Sequence, residues 1–307
     1  MADSKSSASI IEESVKPRPK TSFLVKIRPA YPFIVILAIW QLSAMYVGGN
    51  LGQLFPTVDK IAIRAYELLT DPLVEALQEN KVNGIGDTLH YLTEGPIIWH
   101  VFHTAWRLPL AFFIAAIVGV IVGILMGRFA FWESFFVPLL SVLLPIPALA
   151  WTPIAIIWFG LGNQTIIMIT AFASFLPIAM AVWTGVKTVN PVWIRAAQSM
   201  NADKMTIFKT VVLPGSLPMI LSGMRIGLAR AWRAGVGAEA FGGVKWGLSA
   251  GIFDAQEYLD IAFMMVAIAV LGIFGYLLEK VIFQPLETRT VIKWGMMEEM
   301  GGQDKKV

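Results

Sequence analysis

Long stretches of this chain carry no charged residue, and their lengths set the first expectations. One charge-free run lies between Arg28 and Asp59, with its apolar heart at Tyr31–Val47. A second lies between Arg107 and Arg128 and reads LPLAFFIAAIVGVIVGILMG. A third, between Glu133 and Lys187, is roughly twice the 20 or so residues that a helix needs to cross the hydrocarbon core of a bilayer. The turn-forming stretch Phe159-Gly160-Leu161-Gly162-Asn163-Gln164 divides it, which predicts a helical hairpin. Another run lies between Asp260 and Glu279. Leu217–Phe241 is apolar except for Arg225, Arg230, Arg233 and Glu239. Six spans is the simplest count, so the pattern predicts an all-α polytopic membrane protein of about six transmembrane helices.

Composition points the same way. Of 307 residues, 56% are hydrophobic and 15% charged, against about 25% charged in soluble domains. So few charges cannot cover a globular surface, which argues against a soluble enzyme, a disordered protein or a nucleic-acid binder. With no Cys there is neither a disulfide framework nor a thiolate metal site, and His90, His100 and His103 are the only histidines. His100 and His103 stand beside Trp99 and Trp106, a grouping that fits interfacial anchoring better than metal ligation.

The net charge of +3 is distributed unevenly. Lys5, Lys16, Arg18, Lys20, Lys26 and Arg28 crowd the start, and Lys187, Arg195, Lys204 and Lys209 face one acid, Asp203, between 187 and 214. The 48–99 segment is acid-rich. Basic loops stay on the cytoplasmic side, so both termini are expected in the cytoplasm and the 49–99 loop outside. That divides the chain into a disordered cytoplasmic tail (1–30), a first transmembrane helix (31–48), an extracytoplasmic loop (49–99), a core (100–284) and a second cytoplasmic tail (285–307). Within the extracytoplasmic loop, Val58–Leu69 places Ile61, Ala65 and Leu68 on one face of a short amphipathic helix.

The 190–214 loop reads NPVWIRAAQSMNADKMTIFKTVVLP. Asn190 is a good N-cap and Pro191 suits the first helical position. A helix is expected to about Met200, ended by Asn201 in the left-handed conformation. Asp203 then caps a second helix, Lys204–Leu213, which Pro214 follows. Val192, Trp193, Ile207 and Phe208 give this helix–turn–helix exposed apolar groups, as a docking element needs.

These residues resemble the permease subunits of bacterial ABC importers, whose loop signature is Glu-Ala-Ala, three residues, Gly, nine residues, Ile, one residue, Leu-Pro. Here Arg195-Ala196-Ala197 is followed at those spacings by Asn201, Val211 and Leu213-Pro214. Arg195 replaces the usual Glu, a charge reversal. Asn201 replaces the usual Gly, a physically mild change. Pro145–Gly162 and Leu217–Gly242, together with the closing Lys293-Trp294, are similar to the nitrate/sulfonate/taurine/bicarbonate-type permeases. The resemblance implies the type I importer permease fold, and a homodimer forming the translocation path for a small anion. It also implies two cytoplasmic ATPase subunits docked on a coupling loop that includes Arg195, Ala196, Ala197, Asn201, Asp203, Lys204, Leu213 and Pro214. An extracytoplasmic binding protein would deliver the solute, and the setting would be the bacterial inner membrane. ATP and Mg would be bound by the ATPase partners, because this chain has no phosphate-cradling G-x-x-x-x-G-K-[ST] motif. It would hold no cofactor and catalyse no covalent chemistry.

Five residues are candidates for the path: Pro147, Trp151, Pro153, Arg233 and Glu239. Pro145, Pro147 and Pro153 predict a broken helix, which survives in lipid only where it is buried or lines an aqueous cavity. Arg233 reads either as a pathway cation or as a structural ion pair or interfacial snorkel, and Glu239 as a structural or gating group. Arg225 reads as structural. Gly119, Gly123 and Gly127 form a small-residue packing face. Two other classes stay open: a lipid-modifying membrane enzyme, for which no cluster of catalytic groups is visible, and an ion-coupled transporter, for which Glu239 is the one intramembrane acid.

Overall fold

The computed structural model describes residues 31–51, 54–78 and 96–283. The expected disordered start, the closing tail with Lys293 and Trp294, and His90 lie outside the described residues. The described residues form helices and turns, with no strand among them.

The chain divides into two compact units, Met1–Asp59 and Lys60–Val307. In the first, helix α1 (Tyr31–Leu51) is apolar along its length, and Phe55 and Pro56 lie against Trp40 of this helix. Trp40 stacks on Phe55 with ring centroids 4.4 Å apart, and its Nε1 donates to the Pro56 carbonyl at 3.0 Å.

The second unit starts within α2 (Val58–Gln78), which is longer than the helix expected to Leu69 and contains Pro72. It continues with α3 (Pro96–Arg128), α4 (Ala130–Leu143), a 3-10 turn (Ala148–Trp151), α5 (Thr152–Phe159), α6 (Asn163–Lys187), α7 (Pro191–Ser199), α8 (Lys204–Ile207), α9 (Leu213–Phe241), α10 (Leu248–Glu257) and α11 (Ile261–Leu278). Among the described residues, four helical stretches are long and apolar enough to cross a bilayer: Ile97–Arg128, Asn163–Lys187, Lys204–Phe241 and Ile261–Val281. α4 and the 148–159 segment make a fifth only as a pair bent by 95°, and α1 offers the shorter apolar stretch Tyr31–Val47.

α6 packs against α3 and α9, and it is buried on most of its surface from Thr165 to Val186. Glycines permit the close approach. A Cβ at Gly119, Gly123 or Gly127 would stand 2.8, 2.6 or 2.5 Å from the side chains of Ile178, Val182 and Val186. The four-residue ridge of α6 thus lies in the four-residue groove of α3. The hairpin between α5 and α6 turns at Gly160 and Gly162, whose φ angles of 77° and 134° suit residues without a Cβ.

Two features differ from the sequence-based expectations. The helix starting at Lys204 does not stop at Leu213. It passes through a π-helical segment, Phe208–Val212, and runs on to Phe241 as one stretch of 38 residues. The Leu213 N–H bonds back to the Phe208 carbonyl. That widened turn lets the helix carry Pro214, whose ring would clash with the preceding turn of a regular α-helix. The proline break is also narrower than expected. Pro145 and Pro147 lie in the bend, whereas Pro153 sits in the first turn of α5, where its missing N–H costs nothing.

Candidate functional site

Three polar features stand out against this apolar frame. The first is the loop from 190 to 213. The Asn190 side chain accepts from the Val192 N–H at 2.9 Å and caps α7. Asn201 ends the turn at φ 59°. Asp203 caps α8, accepting from the Thr206 hydroxyl and from the N–H groups of Met205 (3.0 Å) and Thr206 (3.3 Å). These bonds hold the Asp203 carboxyl below its ordinary range. The cap is therefore complete at neutral pH and is lost only as the pH falls through the lowered value. Val192, Trp193, Met200 and Met205 are exposed, and so are Arg195, Ala196 and Lys204. Ile207 is buried and Phe208 half-buried beneath the Arg128 guanidinium, so the exposed apolar face comes from α7, the turn and Met205 of α8 rather than from Ile207 and Phe208.

The second feature is a cleft of about 410 Å³ beside the helix break. Pro145, Pro147 and Leu149 form one wall, and Arg230, Arg233 and Ala234 of α9 the other. The structure thus brings Pro147 and Arg233 together. Trp151 and Pro153 do not line this cleft. Three polar atoms lie close by in sequence: Trp151 Nε1, Thr152 Oγ1 and Ser174 Oγ are buried with no hydrogen-bond partner among the described residues. Arg233 also borders a second cleft, of about 310 Å³, with Trp232, Gly272, Gly275 and Glu279.

The third feature is a closed knot at the end of α9 remote from the loop. Arg107 of α3 and Glu239 of α9 form an ion pair at 2.9 Å with side chains 4% and 2% exposed. Thr104 donates to the other Glu239 oxygen at 2.9 Å, and Arg107 Nε donates to Asn163 Oδ1 at 2.8 Å. The Leu248 N–H bonds to Thr104 Oγ1 at 2.9 Å, and His100 Nδ1 lies 2.7 Å from the Gly247 carbonyl. Four helices, α3, α6, α9 and α10, meet here, and Glu239 is separated from the cleft. No group of three or more His, Cys, Asp or Glu residues placed to hold a metal ion occurs among the described residues.

The structure thus combines a loop capped at both helices, a proline-broken helix beside a polar span and a multi-helix apolar frame. A family model described as "Binding-protein-dependent transport system inner membrane component" matches residues 115–290, just over half of the chain. The chain belongs to this family. It is a multi-pass inner-membrane protein. The taurine transport system permease protein TauC of Escherichia coli is 39% identical over 59% of this chain and 66% of its own length. The nitrate import permease protein NrtB of a Synechocystis species is 29% identical over 83% of this chain and 86% of its own. Inward-facing structures of the MetNI methionine ABC transporter share the fold at a TM-score of 0.53 and 21% identity, over 62% of this chain and 94% of that one.

Two residues at these sites have no role assigned by the sequence alone. In the sequence Arg107 is only the charge that bounds a span, although it is the partner of Glu239. Arg230 stands on the same cleft as Arg233. Its spacing of three from Arg233 was the available signal. Arg107 left no comparable local signal, because its partner lies 132 residues away.

Proposed function

We propose that this chain is the membrane-spanning permease subunit of an ATP-driven, binding-protein-dependent importer that carries a small anionic solute. The 190–213 loop carries the reading. It presents Val192, Trp193 and Met200 on α7 and the turn that follows it, and α8 beyond that turn continues directly into the span lining the cleft. A force applied to α8 is passed along one continuous helical stretch to α9. The family places the chain in a transport system that works with a binding protein, and the names of the taurine and nitrate relatives favour an anion.

In this reading two copies of the chain form the path, and the loops face the cytoplasm and dock two ATPase subunits. Both termini are cytoplasmic, an extracytoplasmic binding protein delivers the solute, and ATP hydrolysis resides in the partners. Closure of the ATPases moves α7 and α8, and the spans rock about the cleft in alternating access. Arg195, Ala196, Ala197, Asn201, Asp203, Lys204, Leu213 and Pro214 belong to the coupling element. Pro147 and Arg233 line the path, with Trp151 and Pro153 supporting its broken wall. Glu239 holds the frame through Arg107.

Co-purification tests the reading. The wild-type chain is expected to carry its ATPase through purification, and deletion of residues 195–213 or the substitution Lys204→Glu to abolish it. Stable ATPase binding after the deletion would overturn the proposal, as would solute uptake by the chain alone on an ion gradient.

A further inference from the structure

α9 sets Arg230 and Arg233 one turn apart, which places their Cβ atoms about 5–6 Å from each other. Both line the same cleft of about 410 Å³, and no carboxylate lines it with them. Arg230 is tethered at 3.5 Å to the Leu144 carbonyl left over where α4 ends, a contact that cancels no charge. Arg233 makes no hydrogen bond or ion pair among the described residues. Arg107 and Arg225, by contrast, are paired, with Glu239 and Glu279 respectively. Two uncompensated cations in one turn of a membrane span repel each other, and each is costly to hold there. An anion bound between them offsets both costs.

We infer that Arg230 and Arg233 form an anion-binding site within the permease itself, shaped for an organic oxyanion with a short aliphatic stem. The inference rests on reading the cleft as part of a transport path. Guanidinium forks match the oxygens of a sulfonate or carboxylate head in pairs. Facing them, Pro145, Ile146, Pro147 and Leu149 form an apolar wall. Such a wall has nothing to offer a bare inorganic oxyanion, but it gives an aliphatic stem a surface to bury against. Arg230 reaches the Leu144 carbonyl at 3.5 Å and so leans toward the α4 side of the site. Arg233, exposed and without a hydrogen bond or ion pair among the described residues, is the half that reaches the ligand.

Equilibrium binding of radiolabelled propanesulfonate tests the site. The sample is the full-length chain co-purified with its ATPase and held in nanodiscs without ATP. Saturable binding is expected, with unlabelled propanesulfonate competing better than nitrate. Arg233→Gln and Arg230→Gln are each expected to weaken it about tenfold or more, Arg233→Lys to retain part of it, and Arg225→Gln to leave it unchanged. Absence of saturable binding, or binding unaltered in both Gln variants, overturns the site. Equal competition by nitrate overturns its preference for a stem. If the ATPase fails to co-purify, the transporter reading fails instead, and the same titration on the chain alone still decides the site.

Discussion

One helix carries two opposite treatments of charge. At the end of α9, Glu239 is 2% exposed, paired with Arg107 and enclosed by Thr104, Asn163 and the α10 backbone. Two turns earlier, Arg230 and Arg233 stand on an open cleft with no acid among its lining residues. Both regions are costly to place in a membrane, and the way each cost is met shows its use. In the knot every charge has a protein partner, so nothing is left for a solute and the helices are fastened. In the cleft no acid stands among the lining residues, and in the proposed reading an anionic ligand answers the charge. An ionisable group in a span is thus a functional candidate only where the fold leaves it unanswered.

The contrast can be broken at its strongest point first. Arg107→Met removes one half of a buried pair and is expected to cost about 3–5 kcal/mol, seen as a large fall in the melting temperature of the detergent-solubilised chain. Adding Glu239→Gln is expected to recover much of that loss, because the stranded carboxylate is gone. If the single variant melts like the wild type, the knot is not a fastening.

The next test compares two glycines. A Cβ at Gly247 would stand 2.8 Å from Glu239 Oε2 and 2.9 Å from an Arg107 nitrogen, whereas one at Gly272 meets nothing within 4 Å. Gly247→Ala is expected to cost about 1–3 kcal/mol by overpacking. Gly272→Ala, inside α11, is expected to be neutral or to gain up to about 1 kcal/mol in helix propensity. Equal melting temperatures for the two variants would erase the distinction between closed and open regions.

Smaller effects separate the arginines. Arg225 pairs with Glu279 at 2.5 Å, but their side chains are 51% and 43% exposed. Arg225→Gln is therefore expected to cost no more than about 1 kcal/mol. Arg233→Met, which breaks no hydrogen bond or ion pair among the described residues, is expected to change stability by no more than about 0.5 kcal/mol in the same melting assay. A large loss from Arg233→Met would make that residue a fastening like Arg107.

The sequence revealed what is local and hid what is distant. Asn190, Asn201 and Asp203 could be assigned caps and a left-handed turn because each acts on backbone within three residues of itself, and the structure shows all three in those roles. The glycine face of α3 was legible from its period of four, although the ridge of Ile178, Val182 and Val186 that fills it was not. Pro214 misled, because a proline after a short helix usually ends it. The π-helical turn that absorbs it depends on how α9 continues, which no local pattern encodes. Of the candidate path residues, Arg233 and Pro147 share a cleft only because α4 bends by 95° against the segment after it.

Uptake by the complete transporter tests the account most directly. The chain, its ATPase and its binding protein are reconstituted in proteoliposomes, and entry of labelled taurine is followed with and without ATP. The account predicts ATP-dependent uptake that falls about tenfold or more in Arg233→Gln, while ATPase co-purification and melting temperature stay at wild-type values. Full uptake by the Arg233→Gln transporter, or uptake that proceeds equally without ATP, would contradict it.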